Sequence, residues 1–141
     1  MDGDAPWVQT LTMSGPPAAD QGRVRVLVVD DNPDLRVVIT MLLDMDGRFE
    51  VVGEAEDGAS ALAAVAALRP DVVLLDVQLP ALDGFEVAQR LLARSNGCSP
   101  AVVLTSSRDG ADFGGLVAES GARGFVPKAE LSGAALAALL E

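Results

Sequence analysis

Three carboxylates, a hydroxyl and an amine each close a hydrophobic run in this chain. Asp30-Asp31 follows Val24–Val29, Asp76 follows Val72–Leu75, and Thr105 follows Ala101–Leu104; Lys128 ends a weaker fourth run, Gly124–Pro127. Two carboxylates ~4 Å apart repel by roughly 4 kcal/mol at an effective dielectric near 20. Protonation or a bound divalent cation relieves that repulsion. Only oxygen ligands are on offer, because the chain has no histidine and its one cysteine is remote in sequence. Such a set suits Mg²⁺ (or Mn²⁺) and suits zinc poorly. A carboxylate nucleophile, a hard cation, a lysine and a hydroxyl together serve phosphoryl transfer to an acid, where catalysis is mostly positioning and charge neutralisation. Each residue also has a plainer reading. Asp30-Asp31 before Asn32-Pro33 can cap a helix, Asp76 can cap a turn before Leu79-Pro80, Thr105 can be structural and Lys128 merely solvated. The weight lies in their falling together.

Strands that are apolar along their whole length belong to a parallel sheet buried on both faces. Parallel strands put their carboxyl ends on one edge, so these residues should converge there. The rest of the chain supplies the alternation such a sheet needs. Asn32-Pro33 starts a helix whose Leu35, Val38, Ile39 and Leu42 fall on one face, and Phe49–Ala55 reads as a second strand. Gly58–Leu68 is an Ala-rich helix, with Leu62, Val65 and Ala66 expected inward, stopped by Arg69-Pro70. Helices are expected from about Asp83 to Leu92, over Asp109–Ser120 and over Ser132–Leu140, with a short strand at Gly124–Val126. Five strands alternating with five helices through short connections give a doubly wound α/β domain. Gly110, Gly114 and Gly115 each cost ~1 kcal/mol against alanine inside a helix, so the 109–120 helix should be the loosest element, or simply a short one.

Composition limits what else the chain can do. Its 141 residues leave room for one domain with a real core, built from Val, Leu and Ala because aromatics are only 4%. A formal net charge of −11 argues against nucleic-acid binding, which rests on Lys and Arg neutralising phosphates. No apolar run approaches the ~18 residues of a membrane helix, and no basic segment followed by an apolar stretch marks a secretion signal. The lone Cys98, in a polar loop, reads as a free thiol and points to a reducing, cytoplasmic setting. Residues 1–23 read as a disordered leader rich in Asp, Gly, Pro and Ala, with the body from residue 24 to 141. Trp7 lies in that leader as an exposed tail residue or a docking residue.

The chain resembles the receiver domain of bacterial two-component response regulators. The matching stretches are Val26–Asn32, Asp71–Pro80, Asp83-Gly84, Val103–Ser106 and Gly121–Lys128, in order and at receiver spacing from about Arg23 onward. The resemblance implies the flavodoxin-like sheet order 2-1-3-4-5. It makes Asp76 the phosphoacceptor, Asp31 the direct Mg²⁺ ligand, Asp30 a helper through the ion or its water, and the Gln78 backbone carbonyl the remaining protein ligand. Thr105 would bond a phosphoryl oxygen, small Ser106 would leave that oxygen accessible, and Lys128 would pair with the phosphoryl group. Phe125 matches the family's switch aromatic, which turns inward when Thr105 is drawn to the phosphate; plain core packing is its alternative. Many receivers place proline after the lysine, whereas here Ala129 follows and Pro127 precedes.

Lacking histidine, the chain should draw its phosphoryl group from a histidine kinase, a histidine phosphotransfer protein or a small acyl phosphate. No DNA-binding helix is expected after the receiver stretch. The expected output is therefore an unnamed downstream protein, a homodimer through the 109–120, 124–126 and 132–140 segments, or a phosphate sink. Two other readings stand beside this one: a receiver fragment of a longer DNA-binding regulator, and a magnesium-dependent phosphohydrolase with an aspartyl nucleophile. The hydrolase reading is weakened by glutamine at position 78, where such enzymes usually carry a second acid.

Overall fold

A computed structural model describes residues 22–94, 100–107, 113 and 115–140. The elements alternate: β1 (Val24–Val29), α1 (Pro33–Asp44), β2 (Phe49–Ala55), α2 (Gly58–Leu68), β3 (Val72–Asp76), α3 (Gly84–Arg94), β4 (Ala101–Ser106), α4 (Leu116–Glu119), β5 (Gly124–Pro127) and α5 (Gly133–Leu140). All strand pairs are parallel, in the order β2-β1-β3-β4-β5. This is the flavodoxin-like arrangement, and it arises because each apolar strand needs cover on two faces. Val26, Val28, Val72, Leu74, Val103 and Val126 meet α1 and α5 on one side. Leu27, Val29, Val73, Leu75, Val102 and Leu104 meet α2 and α3 on the other. Successive residues of a strand alternate between the two cores, so a run with no polar residue is what the pleat demands.

The helix starts follow capping chemistry. Asn32 accepts from Asp34 N and Leu35 N at 3.0 and 3.3 Å, and Pro33 occupies the first turn of α1. The Asp57 side chain accepts from Ser60 N at 2.8 Å while Ser60 Oγ accepts from Asp57 N, closing a reciprocal box at the start of α2.

Several boundaries and faces differ from expectation. β3 and β4 run one and two residues further than their apolar runs, so Asp76, Thr105 and Ser106 stand in the sheet rather than beyond it. The inward stripe of α1 is Leu35, Ile39 and Leu43; Val38 and Leu42 face solvent, because the sheet selects the stripe one residue round from the one hydrophobicity suggested. In α2 the buried residues are Gly58 and Ala61, with Leu62 and Val65 packed against the core and Ala66 exposed. Of the helix expected over 109–120, the described residues hold the single turn α4, headed by Gly115 with no side-chain cap, while 109–112 and 114 lie outside them. Residues 108–112, 114, the Cys98 loop and the leader through residue 21 lie outside the described residues.

The α1–β2 turn is fixed by one acid. Asp46 accepts from Arg48 N at 3.1 Å, Nε at 2.9 Å and Nη2 at 2.6 Å. The Arg48 side chain, then its backbone N–H, hold the Asp46 carboxyl down from an ordinary 3.8 to about 2. A depressed carboxyl pKa adds stability above the unfolded-state value and loses it as pH falls through the folded-state value. Asp46→Asn should therefore destabilise the protein at pH 7, with the gap from the parent closing between pH ~4 and ~2; urea titrations across that window measure it.

Candidate functional site

The parallel register carries six polar side chains to one rim of the sheet. β1 and β3 are neighbours, and their ends supply Asp30-Asp31 and Asp76. Thr105 pairs with Asp76 across β3 and β4, Ser106 pairs with Pro127, and Lys128 comes directly after β5. Carboxylate oxygens of Asp30, Asp31 and Asp76 lie within 4.8 Å of one another. Lys128 Nζ reaches over the rim to Asp30 Oδ2 at 2.8 Å and Asp76 Oδ2 at 3.0 Å. Three carboxylates against one ammonium leave the cluster two charges negative.

Burial divides the acids by role. Asp30 is fully buried and Asp76 is 2% exposed, whereas Asp31 faces solvent. Asp30 Oδ1 accepts from Asn32 N at 2.9 Å and Asp76 Oδ1 from Gln78 N at 2.9 Å, two short turns that aim the remaining oxygens into the pocket. The Asp30 Oδ2 contact to Lys128 is an ion pair without hydrogen-bond alignment, so this buried oxygen keeps accepting capacity unfilled. Thr105 Oγ1 is also buried, without a hydrogen-bond partner among the described residues. Buried polar atoms without partners are rare in folded proteins, and two of the three among the described residues fall at this rim, the third being Thr40 Oγ1 of α1. The oxygen-only donor set at the rim fits a hard cation.

The electrostatics carry the same strain. Burial pushes the Asp76 carboxyl up; the Gln78 N–H and Lys128 pull it down and nearby Asp30 pushes it further up, leaving it raised. Burial works to lower the Lys128 ammonium, but Asp30 and Asp76 outweigh it and hold its pKa above the ordinary 10.5. The lysine therefore stays charged, and part of the acidic repulsion is left unrelieved.

Two residues support the site from beneath: Arg36, which gave no signal in the sequence, and Gly84, which entered there only within the Asp83-Gly84 stretch that matches receivers. Arg36 of α1 donates to the Asp30 carbonyl at 2.5 Å and to Glu54 at 2.9 Å, bracing the end of β1 against α1 and β2. Gly84 lies so close to the end of β3 that a Cβ would fall 2.4 Å from the Asp76 carbonyl oxygen and 2.7 Å from Val77 Cα. Its N–H donates to Val77 O at 2.7 Å, so the Asp83-Gly84 pair is a backbone brace under the Asp76 loop. Phe125 is half-buried on β5, its ring 5.7 Å from that of Phe113, which lies 5.5 Å from Phe85. Three of the chain's four phenylalanines thus form a row beside the pocket, and only Phe125 was singled out by the sequence.

Residues 26–140 match the family model of the response regulator receiver domain. The chain belongs to the receiver family. This receiver is 41% identical over 108 residues to a protein-glutamate methylesterase/protein-glutamine glutaminase of Halalkalibacterium halodurans, covering 77% of this chain and 31% of that protein. It is 40% identical over 106 residues to a putative transcriptional regulator of Pseudomonas aeruginosa, covering 75% and 50%. The chain thus spans from about a third to a half of the length of these curated relatives. Among solved structures, the signal receiver domain of the putative response regulator NarL from Mycobacterium tuberculosis superposes with a TM-score of 0.73 at 36% identity, over 84% of this chain and 97% of that one. The response regulator domain of Thermotoga maritima CheB gives 0.67 at 31%, over 74% and 78%.

In a receiver built this way, the exposed acid is the one whose charge is easiest to remove. Asp31→Asn should stabilise the metal-free protein by about 1 kcal/mol through relief of like-charge repulsion. Millimolar Mg²⁺ should stabilise the parent further, and the same substitution should abolish that gain. Urea titrations in chelator and in Mg²⁺ measure both halves.

Proposed function

We propose that this receiver takes a phosphoryl group onto Asp76 in a Mg²⁺-dependent reaction and passes the signal on through protein contacts. The observation that carries the reading is a nearly buried Asp76 carboxylate sharing Lys128 with Asp30 beside the unpartnered hydroxyl of Thr105. Asp76 Oδ attacks phosphorus, an O–P bond forms, and the donor's P–N or P–O bond breaks with the electron pair leaving on the donor atom. Asp30, Asp31, Asp76 and the Gln78 carbonyl hold the Mg²⁺. The ion supplies neutralisation of the charge gathering on phosphoryl oxygens. Lys128 lies within salt-bridge distance of Asp76, where an incoming phosphoryl oxygen takes over one of its N–H donors. Thr105 Oγ1 donates to another oxygen, which satisfies its orphaned hydroxyl, and small Ser106 leaves that oxygen room. The donor is a histidine kinase or histidine phosphotransfer protein acting in the cytoplasm.

Residues 24–141 form the receiver unit and 1–23 a leader. The output side is the α4-β5-α5 face, with Phe125 as its moving aromatic. It faces a downstream protein or a second copy of the chain. A single-turn α4 and a half-buried Phe125 on β5 support this assignment.

Incubation with Mg²⁺ and a small acyl phosphate should add one phosphoryl group to the intact mass of the native protein and none to Asp76→Asn. A folded protein that gains no mass overturns the reading. Sustained turnover of a generic phosphomonoester would instead favour the phosphohydrolase. Hydrogen exchange tests the output side: amides of 109–120 should exchange well before those of Ala101–Thr105, and equal protection of the two segments removes α4 from the proposal.

A further inference from the structure

Arg36 touches the acidic cluster through backbone rather than through a carboxylate. It lies on α1 one turn after the Asn32 cap, its backbone N–H donating to Asn32 O at 3.1 Å. Its side chain is only 16% exposed. Nη1 donates to the Asp30 carbonyl at 2.5 Å and Nε to Glu54 Oε1 at 2.9 Å. An arginine on a surface helix keeps most of its rotamer freedom when it extends into water. This one gives that freedom up for two charge-assisted bonds made by one planar fork.

The carbonyl it holds belongs to the peptide that joins the two acids. That peptide is planar, so fixing its oxygen fixes the direction in which the chain leaves Asp30 for Asp31. The flanking groups are anchored already: Asp30 N donates to Ala55 O at 3.0 Å, and Asn32 N to Asp30 Oδ1 at 2.9 Å. Asp31 is exposed, so backbone rather than packing sets where its carboxylate points. The Arg36 bond completes the backbone hold on this turn.

A guanidinium in this place has an electrostatic drawback. A positive charge beside three carboxylates competes with any cation they would hold. Glu54 offsets it, since the two side chains form an ion pair at 2.9 Å. As a neutral unit the pair can grip the turn without discharging the pocket.

We infer that Arg36 is a positioning residue for the metal loop: through the Asp30 carbonyl it sets the direction of Asp31, while Glu54 cancels its charge. The inference rests on the reading that the acids hold Mg²⁺.

Mg²⁺ affinity separates position from charge, because the two act with opposite sign. Arg36→Leu removes a positive charge, which on charge alone tightens Mg²⁺ binding. Positioning requires the reverse, a loss of about tenfold or more, the range found for groups that hold metal ligands in place. Arg36→Lys keeps the charge but has no fork to reach the carbonyl and Glu54 together, so it should lose affinity too. It also serves if Arg36→Leu fails to fold. Glu54→Gln, which leaves the charge uncompensated, should weaken binding less, and more at low salt than at high. Electron paramagnetic resonance of bound Mn²⁺, displaced by Mg²⁺, gives the affinities, and urea titration in chelator gives the metal-free stability of each variant. Tighter binding by Arg36→Leu, or unchanged affinity in both Arg36 variants with only a fall in metal-free stability, overturns the inference and leaves Arg36 a structural brace. A native protein that binds neither ion overturns it together with the reading on which it rests.

Discussion

The crowding of three carboxylates around one lysine at the sheet rim is the constraint on which the rest of the structure depends. Nothing in the local sequence of β1 or β3 favours an acid at the end of a fully buried strand. Placing Asp30 and Asp76 there is tolerable only because Asn32 and Gln78 donate backbone N–H groups to them and Lys128 lies against both. The lysine in turn depends on β5 being parallel to and in register with β4, which puts position 128 over the pocket rather than beyond it. Sheet order, strand length and charge are therefore one arrangement seen at three scales.

The two cores hold that rim still. Side chains from β1, β3 and β4 alternate between them, and α2 and α3 on one side balance α1 and α5 on the other. Against this rigid frame the row Phe85, Phe113, Phe125 and the single-turn α4 form a lightly built margin next to Thr105. The contrast between a stiff centre and a thin margin gives a charge change at the rim somewhere to be expressed.

Much of this was legible in the sequence, for a physical reason. Runs such as Val72–Leu75 lack polar residues because both faces are buried, and that one property fixes strand, parallel pairing and the edge on which Asp76 falls. The resemblance to receivers added the strand order. What stayed hidden was what depends on direction rather than residue type. The α1 stripe was misread because Val37, Val38, Met41 and Leu42 are as apolar as the residues that pack, and only the sheet decides which side is in. The brace at Gly84 rests on a backbone contact, and a glycine after an aspartate reads as an ordinary turn. Arg36 and Glu54 are eighteen positions apart and carry no spacing signal. In α4, glycine content warned of a loose helix without saying that a single turn is what the described residues retain.

The middle strand has a mechanical consequence. Every residue of β3 from Val72 to Asp76 is buried, with β1 bonded along one side and β4 along the other, so the acid at its tip is mounted on a beam held on both sides. A load applied at that tip cannot be absorbed by bending the beam. It has to be shed sideways, into whichever fittings around the rim are fastened least.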